Sequence, residues 1–436
     1  MSMTEREMAK LALGSTSSSQ RLTRVAFASM AGTAIEAFDF LTYGTAAALV
    51  FNKLFFPTLD PATGTLAAFG AFASGLFARP IGGIIFGHFG DRIGRKSILI
   101  LSLVMMGLCT VLIGLLPSYQ TIGIWAAILL VVLRIGQGIS FGGELAGAML
   151  MAVEHAPARN KSFFGSLPQA GAPIGILLST GAFALVNMLP NDSFMSWGWR
   201  IPFLASAVLV AVGVFIRMKI EETPEFSAVK EQRKIAALPG WDVLVRHQRP
   251  LILTIGGKLA EVTLIYTIIV FSISYAIAHL GFSRANALNA VVIGSTCQII
   301  TIPFFGWLAD KVGARRLYIA GTLLLAIMAI PLFHAMGSGS LPIYTTAVVV
   351  ALALNYAIIF GPQSNLYSAQ FPAELRYSGM SIGIQIAAAV GGGLAPIIAT
   401  AFVVHAGGIG AVGIYLAVLG VIGAISAYLM CPTASD

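Results

Sequence analysis

Of the 436 residues, 57% are hydrophobic and only 10% are charged, a ratio that excludes a water-soluble globular domain of this size. A hydrocarbon core about 30 Å thick takes roughly 20 apolar residues per helix, so twelve helices need about 240, close to the hydrophobic content of this chain. A net charge of +8 would suit a nucleic-acid partner in a soluble protein, but here the bases lie in short clusters between apolar runs, which points to a lipid bilayer and no nucleic acid.

In chain order, residues 1–24 form a polar tail. The apolar run that begins at Val25 is too long for the core of a secretion signal and lacks a cleavage site, so it stays as the first helix. Apolar runs between polar breaks predict helices over 25–51, 64–87, 98–116, 122–150, 163–189, 199–219, 250–279, 287–308, 316–334, 341–370, 377–404 and 408–430. The longest polar interruption, Lys219 to Arg249, carries mixed charges with Pro224 and Pro239 and separates six helices from six. The expected organisation is an N-terminal bundle over 25–219, a cytoplasmic linker over 220–249, a C-terminal bundle over 250–430 and a tail over 431–436. The fold class is therefore all-α and polytopic, with twelve transmembrane helices in two pseudo-symmetric six-helix bundles. Cys109, Cys297 and Cys431 lie in or at the end of apolar segments, so no disulfide framework or metal site is expected.

Twenty of the 26 Lys and Arg residues fall on one side of this arrangement, and the positive-inside rule makes that side, with both termini, cytoplasmic. Trp125, Trp197 and Trp199 sit at predicted outer ends, where indoles anchor at the headgroups. An internal repeat supports the division into halves. Gly87, Asp91, Arg92 and Gly94 recur 219 residues later as Gly306, Asp310, Lys311 and Gly313, followed in each half by further bases, Arg95 and Lys96 or Arg315 and Arg316. Pro157 with Lys161 recurs 215 residues later as Pro372 with Arg376. Parallel halves of this kind build secondary transporters whose substrate site lies near the midplane between them.

The segment Gly87-His-Phe-Gly-Asp91-Arg92-Ile-Gly94-Arg95-Lys96 resembles the loop signature between the second and third helices of the Major Facilitator Superfamily. Further segments are similar to its metabolite:proton symporter family: Glu36-Ala-Phe-Asp39-Phe, Arg79-Pro-Ile-Gly-Gly, Arg134-Ile-Gly-Gln-Gly138 to Gly142-Gly-Glu144, Gly198-Trp-Arg-Ile-Pro-Phe203 and Arg376-Tyr-Ser-Gly379. The first half looks most similar to shikimate-type permeases. This resemblance implies uptake of an organic acid or zwitterion together with a proton, by alternating access, in a bacterial cytoplasmic (inner) membrane, with a monomer as the functional unit. Helix 5 also carries Pro168 and Gly171-Ala-Pro173-Ile-Gly175, faintly similar to the Gly-Pro motif of drug:proton antiporters, which keeps export as an alternative.

The loop signature has a physical reading of its own. Glycines let helix ends approach closely, and Asp91 can accept charge-assisted hydrogen bonds from Arg or from the N-terminal amides of a neighbouring helix. Gly87, Asp91, Arg92, Arg95 and Glu154 in one half, with Asp310, Lys311, Arg315 and Glu374 in the other, are the candidate gate that latches the cytoplasmic side. The alternative is that these charges only orient the chain in the membrane.

Seven charges lie inside apolar helices, where each costs on the order of 2.5–3.5 kcal/mol at a helix centre: Glu36, Asp39, Arg79, Arg134, Glu144, Lys258 and Glu261. Glu36 and Asp39 share a face of helix 1 at i,i+3, and Lys258 and Glu261 repeat that spacing in the corresponding helix 7. Arg79 precedes Asp91 by twelve residues, or about 18 Å of helix, and Arg134 lies at similar depth. Arg134 is the leading ligand for a substrate carboxylate because a guanidinium binds it bidentately; Lys258 is second, and Arg79 is evenly divided between substrate contact and packing. A buried carboxylate beside a base can exchange protons near neutral pH, which nominates Asp39 first, then Glu36 and Glu261, against a fixed ion pair as the alternative. Glu144, six residues from the inner end of helix 4, reads as a gate or packing residue.

Tyr43, Gln137, Gln169, Tyr266, Asn355 and Gln385 are the uncharged candidates to complete the site, or else interhelical glue. Gly391-Gly-Gly393 followed by Pro396 in helix 11 marks a place to bend around a ligand or to pack closely. The six histidines are dispersed without metal-binding or nucleophile spacing, so no enzyme, catalytic residue, metal or cofactor is expected. A small mono- or dicarboxylate, aromatic or shikimate-like, is the expected substrate. Three intramembrane bases against four acids leave −1, so a zwitterion of the proline or betaine type stays open.

Overall fold

The computed structural model describes residues 3–232, 236–405, 408–433 and 436. Among them twelve helices are long and apolar enough to cross a membrane: α1 (Arg24–Ala46), α2 (Gly70–Ile93), α3 (Arg95–Leu115), α4 (Ile124–His155), α5 (Ala158–Val186), α6 (Gly198–Met218), α7 (Gln248–Leu280), α8 (Arg284–Val312), α9 (Ala314–Met336), α10 (Leu341–Ser368), α11 (Arg376–His405) and α12 (Ile409–Leu429). Each overlaps one span expected from the sequence. The first helix as a whole runs Met3–Ala46, so residue 3 onward continues α1 rather than standing apart from it.

Differences at the ends have local causes. α2 and α8 run beyond their apolar stretches and carry Asp91 and Asp310 inside their last turns. Both helices stop at glycines with positive φ, Gly94 (121°) and Gly313 (101°), a backbone region that side chains disfavour. Four π-helical turns interrupt or extend the spans: Ala47–Phe51 after α1, Thr267–Phe271 in α7, Ala351–Tyr356 in α10 and Ala388–Gly392 in α11. The first two fall at corresponding places in the two halves. A π turn widens a helix locally and is common where function needs an irregular backbone. The glycines of α11 thus keep a continuous helix; a Cβ on Gly391 would come within 2.8 Å of Val262 and one on Gly392 within 2.6 Å of Tyr266, so they let α11 lie close on α7.

Within the first half α1 packs on α5, α2 on α4, and α3 on α4 and α6; within the second α9 packs on α12, α8 on α10, and α7 on α11 and α12. The halves meet along α2 with α11 and α5 with α8, leaving α1 and α7 to face each other across a central space. Outward faces are apolar, as lipid demands: Leu185, Ile300 and Ile327 are each at least 70% exposed. The glycines of the antiporter-like run in α5 serve packing, since Cβ atoms on Gly171 and Gly175 would meet the α1 carbonyls of Met30 and Ala34 at 2.3 and 2.4 Å.

One expected anchor is corrected. Trp125 and Trp197 are 62% and 57% exposed, but Trp199 is fully buried. Its indole stacks edge-on against Phe51, Phe55 and Phe203, so it serves as the keystone of an aromatic cluster. Beside it Arg200 donates to the carbonyls of Gly114 (2.6 Å) and Leu116 (2.8 Å), capping the end of α3.

Candidate substrate cavity and gate

A cavity of about 910 Å³, its open mouth included, lies between the halves. Glu36 and Phe40 of α1, Arg79 of α2 and Phe141 of α4 line one wall; Lys258, Glu261 and Tyr266 of α7, Tyr356 and Phe360 of α10 and Gln385 of α11 line the other. The Arg79 guanidinium sits over the rings of Phe141 (3.5 Å) and Phe40 (4.3 Å), whose electron-rich faces compensate a desolvated cation. Its Nη1 donates to the Tyr266 hydroxyl at 3.3 Å, a contact that joins the halves. Arg79 Nε and both carboxylate oxygens of Glu36 have no hydrogen-bond partner among the described residues, although both side chains are buried. Buried polar groups are normally paired because leaving one unpaired costs about 1–3 kcal/mol, more when it is charged. These unpaired groups sit on side chains that line the cavity and are the chemistry that wall holds for a ligand.

The charges of the opposite wall are already satisfied. Lys258 and Glu261 form an ion pair, Lys258 Nζ donates to Gln363 Oε1 (3.0 Å), and Gln363 Nε2 donates to Glu261 Oε2 (3.3 Å) and the Tyr367 hydroxyl (3.4 Å).

The end of the bundle that carries the α2–α3 and α8–α9 loops is closed by contacts between the halves. Asp91 accepts the amide N–H groups of Tyr377 (3.2 Å) and Ser378 (2.8 Å) in the first turn of α11. Asp310 accepts those of Ser162 and Phe163 in the first turns of α5, each at 2.8 Å. Each carboxylate therefore sits at the N-terminus of a helix of the other half, where free amides and the helix dipole favour an anion. Around Asp91 the charges form a chain: Arg95 lies 3.6 Å from both Asp91 and Glu154, Glu154 lies 3.2 Å from Arg376, and Arg376 pairs with Glu225, which Lys161 approaches at 3.7 Å. Glycines make the approach possible. A Cβ on Gly87 would come within 2.8 Å of the Ser378 Cα, and one on Gly90 within 1.9 Å of the Tyr377 ring. That tyrosine is buried between the halves and donates to the Gly143 carbonyl at 2.9 Å.

Comparison with known proteins gives this architecture its place. Residues 25–246 match the sequence profile of the sugar (and other) transporter family and residues 260–435 that of the Major Facilitator Superfamily. The shikimate transporter of Escherichia coli (strain K12) is 43% identical over 419 residues, covering 95% of this chain and 96% of the relative. The chain belongs to the Major Facilitator Superfamily. The proline/betaine transporter of the same strain is 32% identical over 426 residues, 95% of this chain and 84% of that one. The solved structure of the proton:xylose symporter XylE bound to 6-bromo-6-deoxy-D-glucose shares the fold, with a TM-score of 0.79 at 18% identity over 96% of this chain and 98% of that chain. As a member of this superfamily the chain is a transporter and not an enzyme.

In this superfamily transporter the residues singled out by sequence divide into three groups. Glu36, Arg79, Lys258, Glu261, Tyr266 and Gln385 line the cavity. Arg134, expected as the leading substrate ligand, is not among the lining residues. It is buried inside the first half over the rings of Phe40 (4.2 Å), Tyr43 (4.4 Å) and Phe72 (4.5 Å), and its Nη1 donates to Gln137 (3.0 Å). Phe40 touches both guanidiniums, Arg79 at the cavity and Arg134 behind it. Asp39, expected as the first proton carrier, is likewise off the cavity: it accepts the Ser206 hydroxyl at 2.6 Å and faces Thr110, which Gln137 reaches at 2.7 Å. Asp39, Thr110, Gln137 and Arg134 thus form one buried polar chain. Tyr43 lies in the aromatic cluster against Phe51. Gln169 bridges the halves to Ser364 at 2.7 Å, outside the cavity wall. Asn355 is buried in the π turn of α10, its side-chain amide without a partner among the described residues.

The third group is the expected gate. Asp91, Arg95, Glu154 and Asp310 are in the contacts between halves, and Gly87 permits them. Arg92 is not, being exposed and, among the described residues, hydrogen-bonded only to His88 at 3.5 Å. Lys311 lies over the Trp307 ring (3.9 Å), and Arg315 donates to the Met430 carbonyl (3.1 Å), both within their own half. Glu374 makes no ion pair among the described residues. Glu144 pairs with Arg217 and accepts the Ser102 hydroxyl at 2.9 Å, all inside the first half, so it packs rather than gates.

Sequence reasoning missed four participants. Arg217 reads as a linker base because Lys219 follows it, yet it is buried at the end of α6. Arg376 carries its signal in the repeat with Lys161. Glu225 has none beyond lying in the linker, and Gln363 has only the Gly361-Pro362 break before it.

Proposed function

We propose that the protein imports a small organic acid together with a proton, by alternating access, as a monomer in the bacterial inner membrane with both termini in the cytoplasm. The observation that carries the reading is the presence on one cavity wall of a guanidinium, Arg79, and a carboxylate, Glu36, whose Nε and two oxygens have no hydrogen-bond partner among the described residues. Arg79 holds the substrate carboxylate, and Tyr266 and Gln385 contact the rest of it. Glu36 carries the proton, the role that an expected place beside Arg134 gave first to Asp39, because Glu36 lines the cavity and Asp39 does not. The identity of 43% to a protein named for shikimate transport supports a hydroxylated cyclic acid. The lower identity to a proline/betaine transporter makes a zwitterion the second reading.

In this account the structure is the state closed on the cytoplasmic side. Opening inward requires Asp91 and Asp310 to leave the amides of α11 and α5 and Tyr377 to withdraw from its glycine socket. Because each carboxylate is matched by free amides only while the halves touch, its hydrogen bonds are made in one state and lost to water in the other, which gives a two-state switch. The test is shikimate uptake into proteoliposomes under an imposed pH gradient. Accumulation that follows the gradient supports import with a proton, and chemical turnover or gradient-independent leak contradicts it.

A further inference from the structure

The linker holds an eight-residue helix, Pro239–Arg246, to which neither the cavity nor the closed end assigns a role. Its Pro239, Gly240 and Val243 are buried, and it rests on α2 of the first half and on α7 and α11 of the second, across the seam between them. Leu238, Trp241 and Val245 stay uncovered, at 56%, 63% and 49% exposure. Their i, i+3, i+7 spacing puts all three on one helical face, where a water-facing linker would carry polar residues. The depth of this face is marked twice. A Cβ on Gly240 would lie 3.9 Å from Ile84 and from His88 of α2. Ile84 belongs to the last apolar turn of α2, and Ile81, Ile85 and Phe89 around it are exposed, so the linker helix starts beside the edge of the hydrocarbon and not beyond it. The internal repeat gives the second mark. At the offset of 219 residues, His88 and Arg92 of α2 correspond to Trp307 and Lys311 of α8. Lys311 lies 3.9 Å from the centre of the Trp307 ring, and that indole is exposed, as a headgroup anchor would be. The first half has no indole at this place in α2, and Trp241, which follows Gly240, brings one to the same level.

We propose that this helix lies in the headgroup layer at the closed end and docks on an anionic lipid surface, with Leu238, Trp241 and Val245 entering the acyl boundary and the neighbouring bases meeting the phosphates. The apolar face needs a partner other than water, and beside α2 at this depth the partner is lipid. The charge selects an anionic one. Arg92, Arg246 and Arg249 are exposed near the face, and Asp242, the one acid between Leu238 and Arg249, pairs with Arg246 at 3.3 Å. Arg92 and Arg249 are left to attract anionic headgroups, each base near the surface raising their local concentration about fivefold. The linker is thereby a strap fastened to the membrane across the seam between the halves. This docking surface is independent of which solute the cavity takes.

The experiment uses the full chain in lipid nanodiscs with Trp125, Trp197 and Trp307 replaced by Phe, so that Trp241 and the buried Trp199 remain; the same chain with Trp241→Phe supplies the background. Lipids brominated near the headgroup end of the acyl chain should quench the Trp241 fluorescence, and aqueous iodide should reach it poorly. Moving the bromine from phosphatidylcholine to phosphatidylglycerol, at equal mole fraction in a mixture of the two, should raise the bromolipid concentration read at Trp241 about fivefold or more. Arg92→Gln with Arg249→Gln should remove that preference and leave quenching by brominated phosphatidylcholine in place. Leu238→Ser with Val245→Ser, at two exposed positions that folding does not depend on, should shift Trp241 from bromolipid towards iodide. Quenching by iodide and not by bromolipid would put the face in water and overturn the proposal. Shielding from both quenchers would mean that protein covers the face, a second copy or a soluble partner, and would overturn it too. Equal quenching by the two bromolipids would overturn the anionic selectivity.

Discussion

The two halves share a fold and a repeated loop but treat their buried charges differently. The second half holds one acid and one base, a turn apart on α7, locked to each other and bridged by Gln363. Away from the closed end, the described residues of the first half hold three buried acids and three buried bases, and of these only Glu144 and Arg217 meet directly. Its remaining charges are spread over α1, α2 and α4, with aromatic rings and amides standing in for counter-ions. A half whose charges are mutually satisfied is a scaffold. A half whose charges are left partly unmet, two of them facing a cavity, has something to offer a ligand.

Substitutions can break this contrast, beginning with the largest effect. Lys258→Met strands Glu261 in the interior and should cost about 3–5 kcal/mol of stability, whereas Lys258→Met with Glu261→Met should recover most of it. Thermal unfolding in detergent checks this, and a double variant as unstable as the single one would show that the pair is more than scaffold. Trp199→Ala should cost a similar amount, about 3–5 kcal/mol, by emptying the aromatic cluster, while Trp197→Ala stays within about 0.5 kcal/mol.

The next contrast lies within the first half. Arg79→Gln should weaken shikimate binding about 100-fold, or about 2.7 kcal/mol, with little loss of thermal stability, since it removes a charge-assisted ligand contact. Arg134→Gln should do the reverse, lowering stability by about 1–3 kcal/mol through its buried hydrogen bonds while binding changes less. Titration calorimetry beside unfolding curves separates the two. The smallest expected effects are at the gate. Asp91 is fully buried within a charge chain, and Asp310 is half-buried without one. Asp91→Asn should therefore raise the reactivity of a cysteine placed at the closed end towards an impermeant maleimide more than Asp310→Asn does, with both shifts on the order of 1 kcal/mol.

These contrasts also show how far the amino-acid pattern can be read. All twelve spans are legible because lipid imposes a length and a composition that runs of apolar residues report directly. The repeat gives the two aspartates that join the halves, since their partners are backbone amides that any helix start supplies. The pairing of buried charges is not legible. An i,i+3 spacing puts Glu36 and Asp39 on one helical face, but that face is broad enough for one side chain to reach the cavity and the other to turn towards Ser206 on α6. Arg134 and Arg79 are expected at similar depth and both lie over Phe40, yet Arg79 lines the cavity and Arg134 does not. Arg217 shows the same limit at a helix end, where one turn separates a solvated base from one buried against Glu144. Counting it turns the expected −1 of the membrane interior into zero.

The central claim is that Glu36 takes the proton when the substrate binds. The direct measurement is calorimetric titration of shikimate into the purified chain in buffers of different ionisation enthalpy, which counts protons taken up per molecule bound. At a pH where Glu36 is ionised in the empty cavity, the account predicts uptake of about one proton in the native chain and in Asp39→Asn, and none in Glu36→Gln. Proton uptake that survives Glu36→Gln and disappears in Asp39→Asn would contradict it, and would move the coupling site from the cavity wall to the buried chain behind Phe40.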